Sequence, residues 1–186
     1  MYNKSEEEFL ILVDESDTPW GKLEKQLVHN LGTLHRAFSV FIFNSKGEML
    51  LQQRAKDKYH SGGLWTNACC SHPGYGEEVR DAVQRRLLEE MGLNCDTHFS
   101  FKFRYKTRFE NGMIENELDH VYLGTSDEVP TPAVGEVHAW RYITKEQLRN
   151  EVAENPDLFT VWFKLIFEKV ILHADALAAE KNNYQP

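Results

Sequence analysis

The stretch Thr66-Asn67-Ala68-Cys69-Cys70-Ser71-His72-Pro73-Gly74-Tyr75-Gly76-Glu77 puts a thiol two residues before an imidazole. It runs directly into a segment ending Arg85-Arg86-Leu87-Leu88-Glu89-Glu90-Met91-Gly92. A nucleophile or proton-transfer candidate, a metal-ligand candidate and a Glu-bearing helix therefore share one short unit, with far more chemistry than core packing requires. A free Cys is ordinarily a small buried hydrophobe. Cys70 stands apart because it adjoins His72 and precedes a helix, and both neighbours favour an accessible, tunable thiol.

Other candidates are scattered. His29 and His35 lie six residues apart and His72 follows much later, with no helical i,i+4 pair, so a metal site must be assembled from separate elements. Singly, each reads as a surface or satisfied core histidine. Glu115 and Glu117 flank Asn116 in an alternating strand pattern, which puts both carboxylates on one face. The plain reading is an exposed acidic face; the alternative is a cation held between like charges. Three imidazoles and two carboxylates suit Zn²⁺, Mn²⁺ or Mg²⁺, with the histidines leaning towards Zn²⁺ or Mn²⁺. Among the bases, Lys25, Arg54, Lys58, Arg85 and Arg86 are individually ordinary, but Arg54 and Lys58 bracket the loop before the thiol and could grip a diphosphate. Trp162 falls on the apolar face of the last helix and reads first as packing.

The elements that must position these groups are legible as strands and helices. Phe9–Val13, Arg36–Asn44 and Met49–Arg54 read as strands, the last two as hairpin partners around Ser45–Glu48. Asp17–Gly21 reads as a turn, and Lys56–Gly63 as a polar loop. Glu77–Met91 has helical apolar spacing closed by Gly92. Phe99–Phe109 and Ile114–Leu123 form a hairpin about Glu110-Asn111-Gly112, and Val137–Ile143 is a further strand. Thr144 and Gln147 can close a capping box on a helix through Val152. Residues 158–180 make a long amphipathic helix, followed by a polar tail from Lys181. The interleaving implies one mixed α/β domain over 1–186.

Composition narrows the function. With 186 residues, 41% of them hydrophobic, the chain can build a core, so disorder is excluded. A net charge of −8 argues against a nucleic-acid surface while leaving room for a small anionic substrate. Three cysteines cannot frame a disulfide scaffold and imply reduced thiols. No signal peptide and no run of about 20 apolar residues is visible. A cytoplasmic protein with no membrane, nucleic-acid or macromolecular partner is the expectation.

Together these residues resemble a family. The segment from Leu34 to Glu90, containing TNACCSHP, with Leu23-Glu24-Lys25, FRYKTRFENGMIENELDHVY and Phe159-Thr160-Val161-Trp162, closely resembles the type I isopentenyl-diphosphate Δ-isomerases. The resemblance implies a Nudix-type α/β/α sandwich around a mixed sheet, with segment 1–35 contributing to the site and helix 158–180 covering it. The Nudix signature is degenerate: Ser71 stands for its first Gly, Glu77, Arg85, Glu89, Glu90 and Gly92 fit, and Arg86 replaces a characteristic Glu. Ordinary diphosphate hydrolysis is thereby disfavoured.

The resemblance assigns His29, His35, His72, Glu115 and Glu117 to one divalent metal, Mn²⁺ or Zn²⁺. It gives Glu90 a Mg²⁺ held with the substrate diphosphate and the Cys70 carbonyl. Lys25, Arg54, Lys58, Ser71 and Trp162 match substrate-contacting positions, and Cys70 and Glu117 match the catalytic pair, with Tyr105 beside Glu117. The implied reaction interconverts isopentenyl and dimethylallyl diphosphate in isoprenoid biosynthesis, adding a proton at C4 and removing one from C2 through a tertiary cation at C3. Assigning C4 to Glu117 and Tyr105, and C2 to Cys70, is preferred, and the reverse stays open. The competing readings are a Nudix-type diphosphohydrolase and a zinc-stabilised structural domain. Structural zinc sites are usually cysteine-rich, so the second leaves Cys70 unexplained.

Overall fold

The structure, a computed structural model, describes residues 9–58 and 60–183. The tail expected beyond the last helix lies outside them after residue 183. Among the described residues nine strands join one curled sheet. Its hub is β3 (His35–Phe43), which runs parallel to β8 (Ile114–Thr125) along one edge. The other edge of β3 is shared in turn by β1 (Phe9–Val13), β6 (Cys69–Ser71) and β4 (Met49–Arg54).

That sharing corrects the expected hairpin. β3 and β4 pair only at Phe43 and Met49. Beyond that point β4 leaves to pair with β5 (Trp65–Thr66) and β9 (Val137–Ile143). The edge that β4 vacates is taken by β6, which brings the Cys70 segment into the middle of the fold. The turn expected at Asp17–Gly21 is also shorter than read: Pro19–Glu24 forms strand β2, paired with β1. Pro19 is tolerated because β2 lies at the sheet edge and the proline opens the strand.

Alternating side chains divide β3 between two cores. Phe38, Val40 and Ile42 pack under helix α2 (Val79–Met91), with Leu87 and Met91. Phe41 and Phe43 face helix α4 (Val161–Asn183), with Phe163 and Phe167. This is the expected sandwich, α+β in content, and its two faces follow from the two-residue period of the strand. The last helix begins at Val161, three residues later than read, because Pro156–Leu158 form a short 3₁₀ turn. Phe159 then bridges to Trp65 in an extended conformation.

A short helix α1 (Lys25–Leu31), absent from the sequence reading, packs Val28 against Leu10 and Leu12. The β7 (Thr97–Arg108) and β8 hairpin stands as expected. Helix α3 (Lys145–Glu154) carries the expected capping box, with the Thr144 hydroxyl accepting from the Gln147 amide at 3.2 Å. Thr144→Ala should therefore cost about 1 kcal/mol. That loss lowers Tm by roughly 2–4 °C, readable by thermal unfolding, with no change in the residues around Cys70. Among the described residues no helix is long and apolar enough to cross a membrane.

Candidate active site

Strand register decides which of two adjacent thiols is available. Ser39 pairs with Cys70 and Val40 with Cys69. Paired residues share a sheet face, so Cys69 joins Val40 in the α2 core while Cys70 sides with Ser39 towards α4. The same rule aligns His35 with Glu117 across β3 and β8, and Tyr105 with Glu117 across β7 and β8. Ser39, Cys70, Tyr105, Glu117 and Trp162 line one chamber of about 70 Å³.

Five ligand candidates meet at one point. The Glu24 carboxylate accepts from the Gln26 and Leu27 amides, both at 3.0 Å, which starts α1 at Lys25. One turn later His29 Nδ1 donates to the Lys25 carbonyl at 2.6 Å. His35 Nδ1 donates likewise to the Thr33 carbonyl at 2.9 Å. A carbonyl only accepts, so in both rings Nδ1 carries a proton, and in the neutral form of each ring Nε2 presents the lone pair.

His35 Nε2 faces His72 Nε2 at 3.2 Å, and Glu117 Oε1 lies 3.0 Å from His72 Nε2. His29 Nε2 lies 3.2 Å from Glu115 Oε2, a buried oxygen that accepts no well-aligned hydrogen bond. The ligand atoms of His29, His35, His72, Glu115 and Glu117 all fall within 4.8 Å of one another. Lone pairs and carboxylates converging in a buried space repel unless a cation binds them, and backbone carbonyls fix the histidine tautomers as in metal sites. The residues fit a divalent ion.

Electrostatics separate the groups by role. Burial works to raise Glu117, but its contacts with His35 and His72 hold it well below the ordinary carboxylate range. Burial takes His72 down to about 4, a neutral imidazole able to ligate. Burial, reinforced by Asp119, pushes the Cys70 thiol up to about 12. Tyr105 is pushed well above 10 by burial and by Glu117, and its hydroxyl donates to Glu117 Oε2 at 2.7 Å. Lys25 is lowered by burial and by Arg86, Lys58 and Arg54 nearby, against Glu115.

This crowding of cations marks an anion site. A hollow of about 200 Å³, lined by Lys25, Lys58, Ser71, Arg85 and Arg86, adjoins the chamber and shares most of these residues with it. Glu90 lines the chamber, accepting from Arg86 at 2.6 Å and from Gln52 at 3.2 Å. Arg54 places its guanidinium 5.4 Å from the Trp162 ring centre. Every site residue singled out in the sequence thus falls in this one region.

Four others were missed. His60 Nε2 lies 2.8 Å from Glu115 Oε1, its ring stacked on Phe109 at 4.4 Å and edge-on to Trp162 at 5.9 Å. Asp119 accepts from Ser39 at 2.7 Å, and burial and Glu117 push it well above its ordinary value. Its signal was available, since the i+2 spacing of Glu115 and Glu117 continues to Asp119. Gln52 and Glu136 carry no local signal; the pairing of β4 with β9 delivers them. Glu136 pairs with Lys58 and lies 3.7 Å from Arg86.

Known proteins share this plan. The NUDIX domain family matches residues 33–163. The chain is 47% identical over 173 residues to the isopentenyl-diphosphate Delta-isomerase of Pectobacterium atrosepticum, covering 93% of this chain and 97% of that protein. It is 49% identical over 170 residues to the isopentenyl-diphosphate Delta-isomerase of Burkholderia multivorans, covering 90% and 97%. Among solved structures, DR0079 from Deinococcus radiodurans superposes with a TM-score of 0.65 at 19% identity, over 80% of this chain and 90% of that one. A MutT protein from Methanosarcina mazei gives 0.61 at 16% identity, over 82% and 96%. These two speak for the fold alone, whereas relatives near half identical over almost their whole length speak for the family. The chain belongs to the isopentenyl-diphosphate Delta-isomerases and carries their chemistry on a NUDIX domain.

Proposed function

We propose that Cys70 and Glu117 move the protons that interconvert isopentenyl and dimethylallyl diphosphate. The observation carrying this reading is their convergence, from β6 and β8, on one chamber lined by an indole and adjoined by a cationic hollow. The hollow suits the diphosphate. Lys25, Lys58 and Ser71 from the hollow and Arg54 from the chamber would hold it, and the chamber would take the five-carbon chain.

Isomerisation adds a proton at C4 and removes one from C2, with positive charge at C3 between the two events. Glu117, hydrogen-bonded by Tyr105, serves C4, and Cys70 serves C2. A protonated thiol beside an ionised Glu117 is then the state that turns dimethylallyl into isopentenyl diphosphate: sulfur gives its proton to C2 and Glu117 takes one from C4. The opposite protonation state runs the reaction forward, so each turnover leaves the pair ready to run back. The Trp162 ring, already facing one cation in Arg54, stabilises the charge at C3 by about 2 kcal/mol when water is excluded.

His29, His35, His72, Glu115 and Glu117 would hold one ion, Mn²⁺ or Zn²⁺ by the number of imidazoles. Glu90 would hold Mg²⁺ together with substrate phosphates, the usual mode for that ion. When bound, these ions neutralise the carboxylates and the diphosphate, which discourages loss of the diphosphate from the allylic product. The segment bearing Lys25 and His29 completes the site from the N-terminal side, and α4 closes it with Trp162. No macromolecule is required.

Proton NMR in D₂O with isopentenyl diphosphate and Mg²⁺ tests the reading. Deuterated dimethylallyl diphosphate is the expected product. Inorganic phosphate or diphosphate release in its place would overturn it.

A further inference from the structure

We propose that His60 is a specificity-determining residue: backed by Phe109, its ring is the wall that stops the chamber at a five-carbon chain. The inference rests on the proposed placing of that chain in the chamber. Two cavities meet at this side chain. One is the chamber of about 70 Å³. The other is a groove of about 430 Å³ whose apolar lining comes from Leu64, Phe109, Phe159 and Val161. Among the described residues His60 alone lines both.

The imidazole is built into that position. It is buried, and it lies flat on Phe109, with ring centres 4.4 Å apart and planes 11° from parallel. It meets Trp162 edge-on at 5.9 Å, so it stands beside the indole that lines the chamber. The backbone around it is tied to the end of β4. The His60 carbonyl accepts from Arg54 Nη2 at 3.3 Å, and the Gly63 amide donates to the Arg54 carbonyl at 3.1 Å. Gln53 Nε2 donates to the Gly63 carbonyl at 2.8 Å. At Gly62 a Cβ would meet the Lys56 carbonyl oxygen at 2.5 Å, so glycine is what lets the loop fold this closely.

Volume gives the wall its effect. An apolar cavity of about 150 Å³ takes benzene, so a chamber of about 70 Å³ has no room beyond the natural chain. A longer chain has to cross the His60–Phe109 stack to reach the groove. One extra methylene against such a pocket costs roughly 10- to 200-fold in kcat/KM.

Two homologues of isopentenyl diphosphate supply the test: 3-methyl-3-pentenyl diphosphate, extended at C4, and 3-ethyl-3-butenyl diphosphate, extended at the branch methyl. Proton NMR follows isomerisation, and the readout is kcat/KM for each homologue divided by that for isopentenyl diphosphate. Wild type should give a ratio of about 0.1 or less for both. In His60→Ala the ratio should rise about tenfold for at least one homologue, because the groove joins the chamber. His60 also lies 2.8 Å from Glu115 Oε1, but metal lost through that contact slows all three substrates alike and leaves the ratio in place. Phe109→Ala, which removes the backing and leaves the imidazole, should raise the ratio by a smaller factor. His60→Phe, which keeps a flat ring on Phe109, should hold it at the wild-type value.

A wild-type ratio near one would overturn the proposal even if no variant folds. So would ratios that stay at the wild-type value in both alanine variants, or one that rises as far in His60→Phe as in His60→Ala. Wild type that makes no dimethylallyl diphosphate removes the placing of the chain and the wall with it. Dimethylallyl diphosphate made beside freely accepted homologues removes the wall alone.

Discussion

Cys70→Ala should lower kcat by about 10⁴-fold, the upper end of what general acid–base catalysis contributes. An unactivated alkene offers no easier route, and no neighbouring group replaces the thiol: Ser39 is engaged with Asp119, and Thr66 with Asn67. KM should change little, because Lys25, Arg54 and Lys58, the residues proposed to grip the diphosphate, are untouched. Glu117→Gln should give a similar loss, but that side chain is also a ligand candidate, so its effect needs separating.

Glu115→Gln supplies the control. It weakens the same metal cluster while leaving Cys70, Tyr105 and Glu117 in place. Excess metal should restore much of the activity of Glu115→Gln and none of that of Glu117→Gln. Rescue of Glu117→Gln by metal would reduce Glu117 to a ligand and remove it from proton transfer. Single-turnover product formation by proton NMR reads all three variants on one scale.

Stripping the metal with a chelator should abolish isomerisation and also loosen the N-terminal side of the site. Without a cation, two buried carboxylates and three imidazoles must share a space in which their ligand atoms lie within 4.8 Å. Free metal at about 100 times its Kd adds about 2.7 kcal/mol to folding. For a chain of this length that corresponds to roughly 5–10 °C in Tm. The loss should concentrate where His29 is carried, since α1 is short and, apart from His29, is held by Val28, the cap at Glu24 and the Asn116 hydrogen bond to the Gly32 carbonyl. Faster amide exchange over residues 20–36 in demetallated protein is expected. Equal protection, equal Tm and full activity in protein shown by elemental analysis to be metal-free would sink the metal assignment.

How much of this was legible beforehand differs by element. Strands with a clean two-residue alternation, the Gly92 stop of α2 and the Thr144–Gln147 box are local patterns, and each forms where the sequence reads it. α1 was not legible, because a seven-residue helix carries too little periodicity, and its decisive cap is the side chain of Glu24 rather than a Ser, Thr or Asp. Of the site, residue types alone pointed to Cys70 beside His72, whereas the Glu115–Glu117 pair stood between an exposed acidic face and a cation site.

Sequence by itself determined the inventory: an acidic α/β chain, a thiol–imidazole loop, a carboxylate strand and enough family signature to name the reaction. Only the tertiary structure decided which groups meet. The register of β6 on β3 turned Cys70 rather than Cys69 into the chamber, and the parting of β3 from β4 made room for β6. The loop before β5 brought His60 onto Glu115, and β9 brought Glu136 onto Lys58. Those outcomes depend on contacts between residues far apart in the chain. Local patterning fixes the period of a strand but not the neighbour it will find, because pairing energy belongs to the partner as much as to the strand.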